Sequence, residues 1–521
     1  MQTSIFGAGD EWGAVADAHR GGLDLPAALA RSGGLATIRS GSPLGPFENG
    51  PGAVLLVLLS AVVIGAGTGL DIKFGAAALV AMIAGLTILL RPTTAVLTVV
   101  AVAPVVCALK RGLIVPGLRP SEALIAGVAT PVLLLAGSRV SIPWRLLDGM
   151  ALAYVVATLV LGTGDMLAHG TPFTAEFSGQ LIGPLQFFLL YRSVVVALDT
   201  PELRRWAVRL LLLGSIPVAI SALLQYFNIG PTRALIVTVV NSVASDSVHF
   251  KDGGLRRATG IMDHWHSLGA YMLVIILLCV TLLLDTQQQV MRRGLLRVVL
   301  AFAVAGMMLT LTMGPILGAI AGSVWVGIAS GRSRKVLAWL AIGALAVVVA
   351  LGPFLGARLD QQFSDQVGQV SATAGPSFLP QTVRYRIEVW KTEYAPLVMS
   401  HLLTGYGPGL PSYINWRHTE TLYVTLLLKG GVPLLAIYAG LMFAAWSLAR
   451  SLASSRASPD DRCTAQVVLT LILVLIPLQF INPYFVNTGL AHPIWILFGL
   501  TGAAVGRLQT RPTSRLRARA P

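Results

Sequence analysis

Lipid supplies no hydrogen bonds to a polypeptide backbone, so a chain full of membrane-length apolar runs has few folds open to it. Such runs recur here from residue 53 to residue 506. A spanning helix needs about 20 mainly apolar residues, and about fourteen candidates occur. In the first half they lie near 53–70, 74–90, 94–109, 121–137, 147–163, 181–198 and 207–226. The second half continues with 268–285, 297–312, 315–330, 336–355, 421–449, 465–483 and 489–506. Composition agrees: 55% of the 521 residues are hydrophobic and 12% charged, against about 25% charged in a soluble domain. The expected fold is therefore all-α, a polytopic transmembrane helix bundle with a long, partly helical periplasmic loop.

The net charge of +15 would suit a nucleic-acid binder, but its distribution argues for a membrane. Arg204, Arg205, Arg292, Arg293, Arg332, Arg334, Lys335, Arg450, Arg456 and Arg462 sit in short connections that alternate counting of the helices puts on one side. The positive-inside rule makes that side cytoplasmic, with both termini on it. Lys110 and Arg111 form an outer exception. Residues 1–52 are polar, rich in Gly and Ser, and lack a signal peptide's basic and apolar regions, so they read as a mobile cytoplasmic tail. The organisation expected is that tail, a bundle over 53–506, and a basic cytoplasmic tail over 507–521. Arg192 is the main charge within an apolar run, and snorkelling to the nearby interface accounts for it. Cys107, Cys279 and Cys463 are scattered and form neither a disulfide framework nor a metal site.

Polar chemistry concentrates in two long outer loops, 227–267 and 356–420. The first ends in RRATGIMDHWHSLG, which sets Arg256, Arg257, Asp263, His264, Trp265 and His266 just before a membrane helix. Arginine's planar fork suits a phosphate or diphosphate, while Arg and Trp also serve as plain interfacial anchors. The second loop holds Arg384, Arg386 and Trp390, then the glycines Gly405, Gly407 and Gly409, then RHTETLY. On a helix Arg384 and Arg386 lie about 200° apart, which works against both reaching one ligand. The glycines permit a tight turn and close backbone approach, but no strand and helix flank them as a nucleotide fold requires. Glu420 stands at the mouth of a long apolar helix, where it is either a complement to the helix dipole or a general base. Carboxylates are nearly absent from the middle of the apolar runs, whereas ion-coupled transporters place them there.

Together the loops resemble the O-antigen ligase and O-antigen polymerase (Wzy-type) superfamily of bacterial membrane glycosyltransferases. The resemblance spans about residues 180–505 and rests on three stretches in order: RATGIMDHWHSLGAYM, RIEVWKTEYAPLVMSHLLTGYGPG and ETLYVTLLLKGGVPLL. Departures accompany it. Glu420 and Thr421 stand where many members have His-Asn, with His418 two residues away, and Met313-Gly314 stands where a Ser-Arg pair is common. These departures weigh against the ligase branch, the lack of a large soluble domain after the last helix weighs against the protein-glycosylating branch, and a polymerase is the expectation that fits best.

The resemblance implies a GT-C-like bundle in the bacterial cytoplasmic (inner) membrane and a donor glycan on polyprenyl diphosphate. It also implies transfer to a growing glycan chain at the outer face, with membrane lipid around the site and a flippase and chain-length regulator as partners. No cofactor, metal or nucleic acid is expected. Arg257 and Arg386, supported by Arg256 and Arg384, would hold the diphosphate. Glu420 would act as base, with His418 and His266 behind it, and His266, Trp390, Gly405 and Gly407 would line the substrate loop. The competing readings are an O-antigen ligase that uses a lipid acceptor, a lipid-linked oligosaccharide flippase or transporter, and a scaffold of an export assembly.

Overall fold

The computed structural model describes residues 91–113, 118–137, 144–168, 175–240, 257–343, 381–409 and 419–510, with isolated positions between. The runs expected at 53–70 and 74–90, most of 336–355, the tail over 1–52, Arg256 and His418 lie outside the described residues.

The described chain is helical, and its helices follow the apolar runs. They are α1 (Pro92–Val106), α2 (Pro120–Gly137), α3 (Leu146–Val160), the short α4 (Thr163–Ala168) and α5 (Ala175–Ala197). Next come α6 (Pro201–Phe227), the short α7 (Thr232–Val239), α8 (Trp265–Leu284), α9 (Arg293–Met308) and α10 (Met313–Ala329). The rest are α11 (Gln381–Val389), α12 (Ala395–Ser400), α13 (Leu422–Ala453), α14 (Pro459–Leu478) and α15 (Thr488–Thr510). Among the described residues five helices are long and apolar enough to cross a membrane, and α1, α2, α3, α5 and α10 contain shorter apolar helices. This is an integral membrane helix bundle.

Local signals set the boundaries. Thr200 caps α6 by accepting from the Leu203 amide at 3.2 Å, Pro201 opens the helix, and left-handed Asn228 ends it. Ser458 and Pro459 start α14 in the same way.

The two most enclosed spans lie in α8 and α15, whose apolar windows are 89% and 94% buried. By contrast α6 and α13, at 44% and 39%, leave much of their surface to lipid. Around α8 pack α9, α10, α14 and α15, and α15 in turn packs on α5. Lipid gives helices no hydrophobic drive to associate, so close approach at small residues has to supply contact. Gly489 shows it: a Cβ there would lie 1.8 Å from the Ser267 carbonyl oxygen.

At one end of the bundle the basic connections meet. Arg204 grips Asp461 through two bonds of 2.7 and 2.8 Å, Arg205 bonds Asp460 at 2.6 Å, and the Gln289 amide donates to Asp460 at 2.8 Å. Three connections read from charge as lying on one side thus share a face. Arg192 corrects the sequence reading. It does not reach out to water but is 8% exposed and donates at 2.5 Å to Asp148, which is fully buried and also accepts from Tyr191 at 2.8 Å. Pairing within the bundle replaces snorkelling because Asp148, in the first turn of α3, meets Arg192 near the last turn of α5. Lys110 lies at the other end, with its amide donating to Val239 at 2.9 Å and its ammonium to Val237 at 2.9 Å. The exceptional basic loop therefore sits with the 227–267 segment.

Candidate active site

The DHWHS stretch begins α8. His264 is its N-cap, and its Nδ1 accepts from the His266 amide at 3.1 Å. That closes a tight turn in which the His264 and His266 rings stack with centroids 4.9 Å apart. Asp263 accepts from Ser267 at 2.6 Å, and Ser267 also bonds Asn487. Arg257 is half-buried and lays its guanidinium over the Trp265 ring, 4.9 Å from the centroid. Stacking of this kind holds a guanidinium flat against the ring.

From the other loop comes α11, which carries Arg384 and Arg386 as helical residues. The Arg386 Nε donates to Glu420 Oε2 at 2.5 Å, and the Nη2 reaches the same oxygen. Arg384 is half-buried on the same helix, two residues away and so about 200° around it. At Trp390 the helix widens into a π turn, Trp390–Tyr394, a feature common at functional sites. The Trp390 indole donates to the Thr419 carbonyl at 3.0 Å. α11 is thereby fastened to the segment that leads into α13.

Glu420 itself has φ 43°, in the left-handed region that side-chain-bearing residues rarely occupy. Its neighbours hold it there. The Thr421 hydroxyl and the Leu422 amide both donate to the Gln479 carbonyl, at 2.9 and 3.0 Å. The Arg386 and Glu420 side chains are 15% and 38% exposed, so the carboxylate is secured on one flank and open on the other.

Tyr484 was missed by sequence reasoning. It lies in the short 3-10 turn Tyr484–Val486 between α14 and α15, is 1% exposed, and places its hydroxyl 3.2 Å from His266 Nδ1. Burial pushes the phenol pKa up, while the nearby Arg386 charge pulls the other way. A phenol so placed stays protonated at neutral pH. It links the His266 side of the site to the Arg386 side, and a Cβ on Gly314 would lie 3.1 Å from its oxygen. No motif marks Tyr484 in the sequence, because a lone tyrosine between two apolar runs reads as an interfacial anchor.

Gly405 and Gly407 do something different. Gly430 and Gly431 break α13, with Gly431 at φ 64°, and so leave helix carbonyls without their usual donors. The glycine turn supplies them. Tyr406 donates to the Leu428 carbonyl at 2.7 Å, Gly407 to Lys429 at 3.0 Å, and Val432 donates back to Leu402 at 2.8 Å. Gly405 and Gly407 both have positive φ, and a Cβ on either would lie within 2.6 Å of backbone in α13 or at Gly162. The turn is a plug for the break in α13, and its amides are used there.

The structure thus gathers Arg257, His266, Arg386, Trp390 and Glu420 at one end of the bundle and adds Tyr484. A cation, a carboxylate and a buried phenol side by side can neutralise an anionic leaving group and accept a proton. No curated protein matches the chain. Residues 298–439, from α9 into α13, match the family model described as O-antigen ligase. That stretch contains Arg384, Arg386, Trp390, Gly405, Gly407 and Glu420. Residues 298–439 of this all-helical membrane bundle are thus similar to the O-antigen ligase family, and that match supports the O-antigen ligase and polymerase superfamily that the loops resemble.

Proposed function

We propose that the protein is a polysaccharide polymerase of the bacterial inner membrane. It transfers a repeat unit from polyprenyl diphosphate to the end of another glycan chain at the outer face, without a metal. The reading is carried by the Arg386–Glu420 pair, held at 2.5 Å beside His266 and Tyr484. In the reaction the acceptor hydroxyl oxygen bonds to the anomeric carbon of the donor. The bond from that carbon to the diphosphate oxygen breaks with both electrons leaving on the diphosphate. The hydroxyl proton passes to Glu420, which Arg386 orients. Arg386 and Arg257, with Arg384 and Arg256 in support, offset the charge that develops on the diphosphate. Tyr484 stays neutral and donates a hydrogen bond. His418 and His266 are the alternative proton acceptors. Flippases and chain-length regulators are the expected partners, and both termini face the cytoplasm.

Glu420 in place of the histidine many members carry supports the polymerase branch. The matched model is itself described as a ligase, so transfer to a lipid acceptor is the second reading. One assay separates them: purified protein, a polyprenyl-diphosphate-linked repeat unit, and a gel. A ladder of longer glycans that persists in EDTA and disappears in Arg386→Ala is the expected result. One transfer to an added lipid acceptor without a ladder would establish the ligase. Folded protein that binds donor and transfers nothing would overturn both.

A further inference from the structure

Between α10 and α14 runs an apolar groove of about 490 Å³, lined by Gly314, Gly318, Ala321 and Trp325 on one wall and Leu478 and Ile481 on the other. Its open side faces the bilayer, since Leu317 and Trp325 on its rim are 61% and 43% exposed. Small residues at spacings of four and three make the furrow, because side chains that far apart share one helix face. One end of the groove is the candidate site, where Gly314 lies beneath the Tyr484 hydroxyl. From Gly314 to Trp325 the helix rises about 16 Å at 1.5 Å per residue. That is about half of a hydrocarbon core of roughly 30 Å.

The groove therefore starts at a cationic polar cluster at one face of the bundle and descends about one leaflet deep. Its occupant should have the same layout: an anionic head for Arg386 and a long apolar chain leading straight down from it. We propose that the α10–α14 groove holds the first isoprene units of the polyprenyl carrier, with the diphosphate at the Tyr484–Arg386 end. The proposal rests on the lipid-linked donor inferred above and adds where its chain runs. An ordinary phospholipid tail also fits an apolar furrow, but its head would not have to sit at Arg386. Charge complementarity at the mouth selects the diphosphate-bearing lipid.

The test uses full-length protein in detergent and a polyprenyl diphosphate with a diazirine on an isoprene unit near the head, with no glycan and no acceptor. Adducts are expected on peptides covering 314–325 and 473–481. Excess unlabelled polyprenyl diphosphate should suppress them, and phosphatidylglycerol should not. Ala321→Phe, on the lipid-exposed rim, fills the furrow from outside and should cut labelling at least fivefold with thermal stability unchanged. Adducts on other helices, or suppression by phosphatidylglycerol equal to that by the carrier, would overturn the groove. Labelling needs no glycan transfer, so intact labelling in a protein that transfers nothing would remove the proposed reaction and leave the groove standing.

Discussion

At the scale of single residues, Glu420 carries the most information. A carboxylate on a residue with φ 43° occupies backbone geometry that costs of order 1–3 kcal/mol and persists only where its surroundings enforce it. Here Arg386 on one side and the Gln479 carbonyl beneath Thr421 and Leu422 enforce it. If Glu420 takes the acceptor proton, Glu420→Gln should lower the transfer rate about 10²- to 10⁴-fold, the usual contribution of a positioned base. Retained polymerisation at normal expression would count against that role. Arg386→Lys keeps the charge and loses the fork that serves the carboxylate and a phosphate together. It should lose transfer almost as fully as Arg386→Ala, whereas near-normal rates would mean that charge alone suffices.

At the scale of elements, the break in α13 and the glycine turn are one unit. A helix interrupted within a bundle has to find donors for its freed carbonyls, and Tyr406 and Gly407 provide them. The break also lets α13 bend while Glu420 and Thr421 stay anchored at its start. Gly407→Ala puts a Cβ 2.6 Å from the Gly162 oxygen at φ 99°. The left-handed backbone alone costs roughly 1–2 kcal/mol, so a fall in the thermal midpoint is expected in detergent. Gly164→Ala, with nothing within 4 Å of the added carbon, is the control and should leave the midpoint in place. Equal behaviour of the two variants would show that the plug adds nothing to stability.

At the scale of the whole molecule, the bundle has two chemically different ends. One is held by Arg204–Asp461, Arg205–Asp460 and Arg192–Asp148, the other by the site. Asp461→Asn would leave a guanidinium buried without its counter-charge, an error that typically costs about 3–5 kcal/mol. Thermal unfolding should register it, and an unchanged midpoint would mean that water reaches Arg204. Orientation is open to a labelling experiment, because all three native cysteines are buried. In intact cells Glu388→Cys should react with a membrane-impermeant maleimide and Gln287→Cys should not, both positions being exposed. The opposite pattern would invert the proposed topology.

Run length and polarity alone determined the all-helical membrane fold, because a backbone in lipid must satisfy itself within each segment. They also placed the helices: the reading of 207–226 became Pro201–Phe227 and that of 489–506 became Thr488–Thr510. Residue type and resemblance mark Arg386 and Glu420 in the sequence, but nothing in the sequence says that they touch. Only the tertiary structure decided that contact, made across 34 residues of sequence. It alone brought Tyr484 to His266 across 218 residues, and it turned Gly405 and Gly407 towards α13. The physical reason is range. Hydropathy acts within one helix, whereas a site is made where loops from several helices meet, and such pairings leave no periodic trace in the chain.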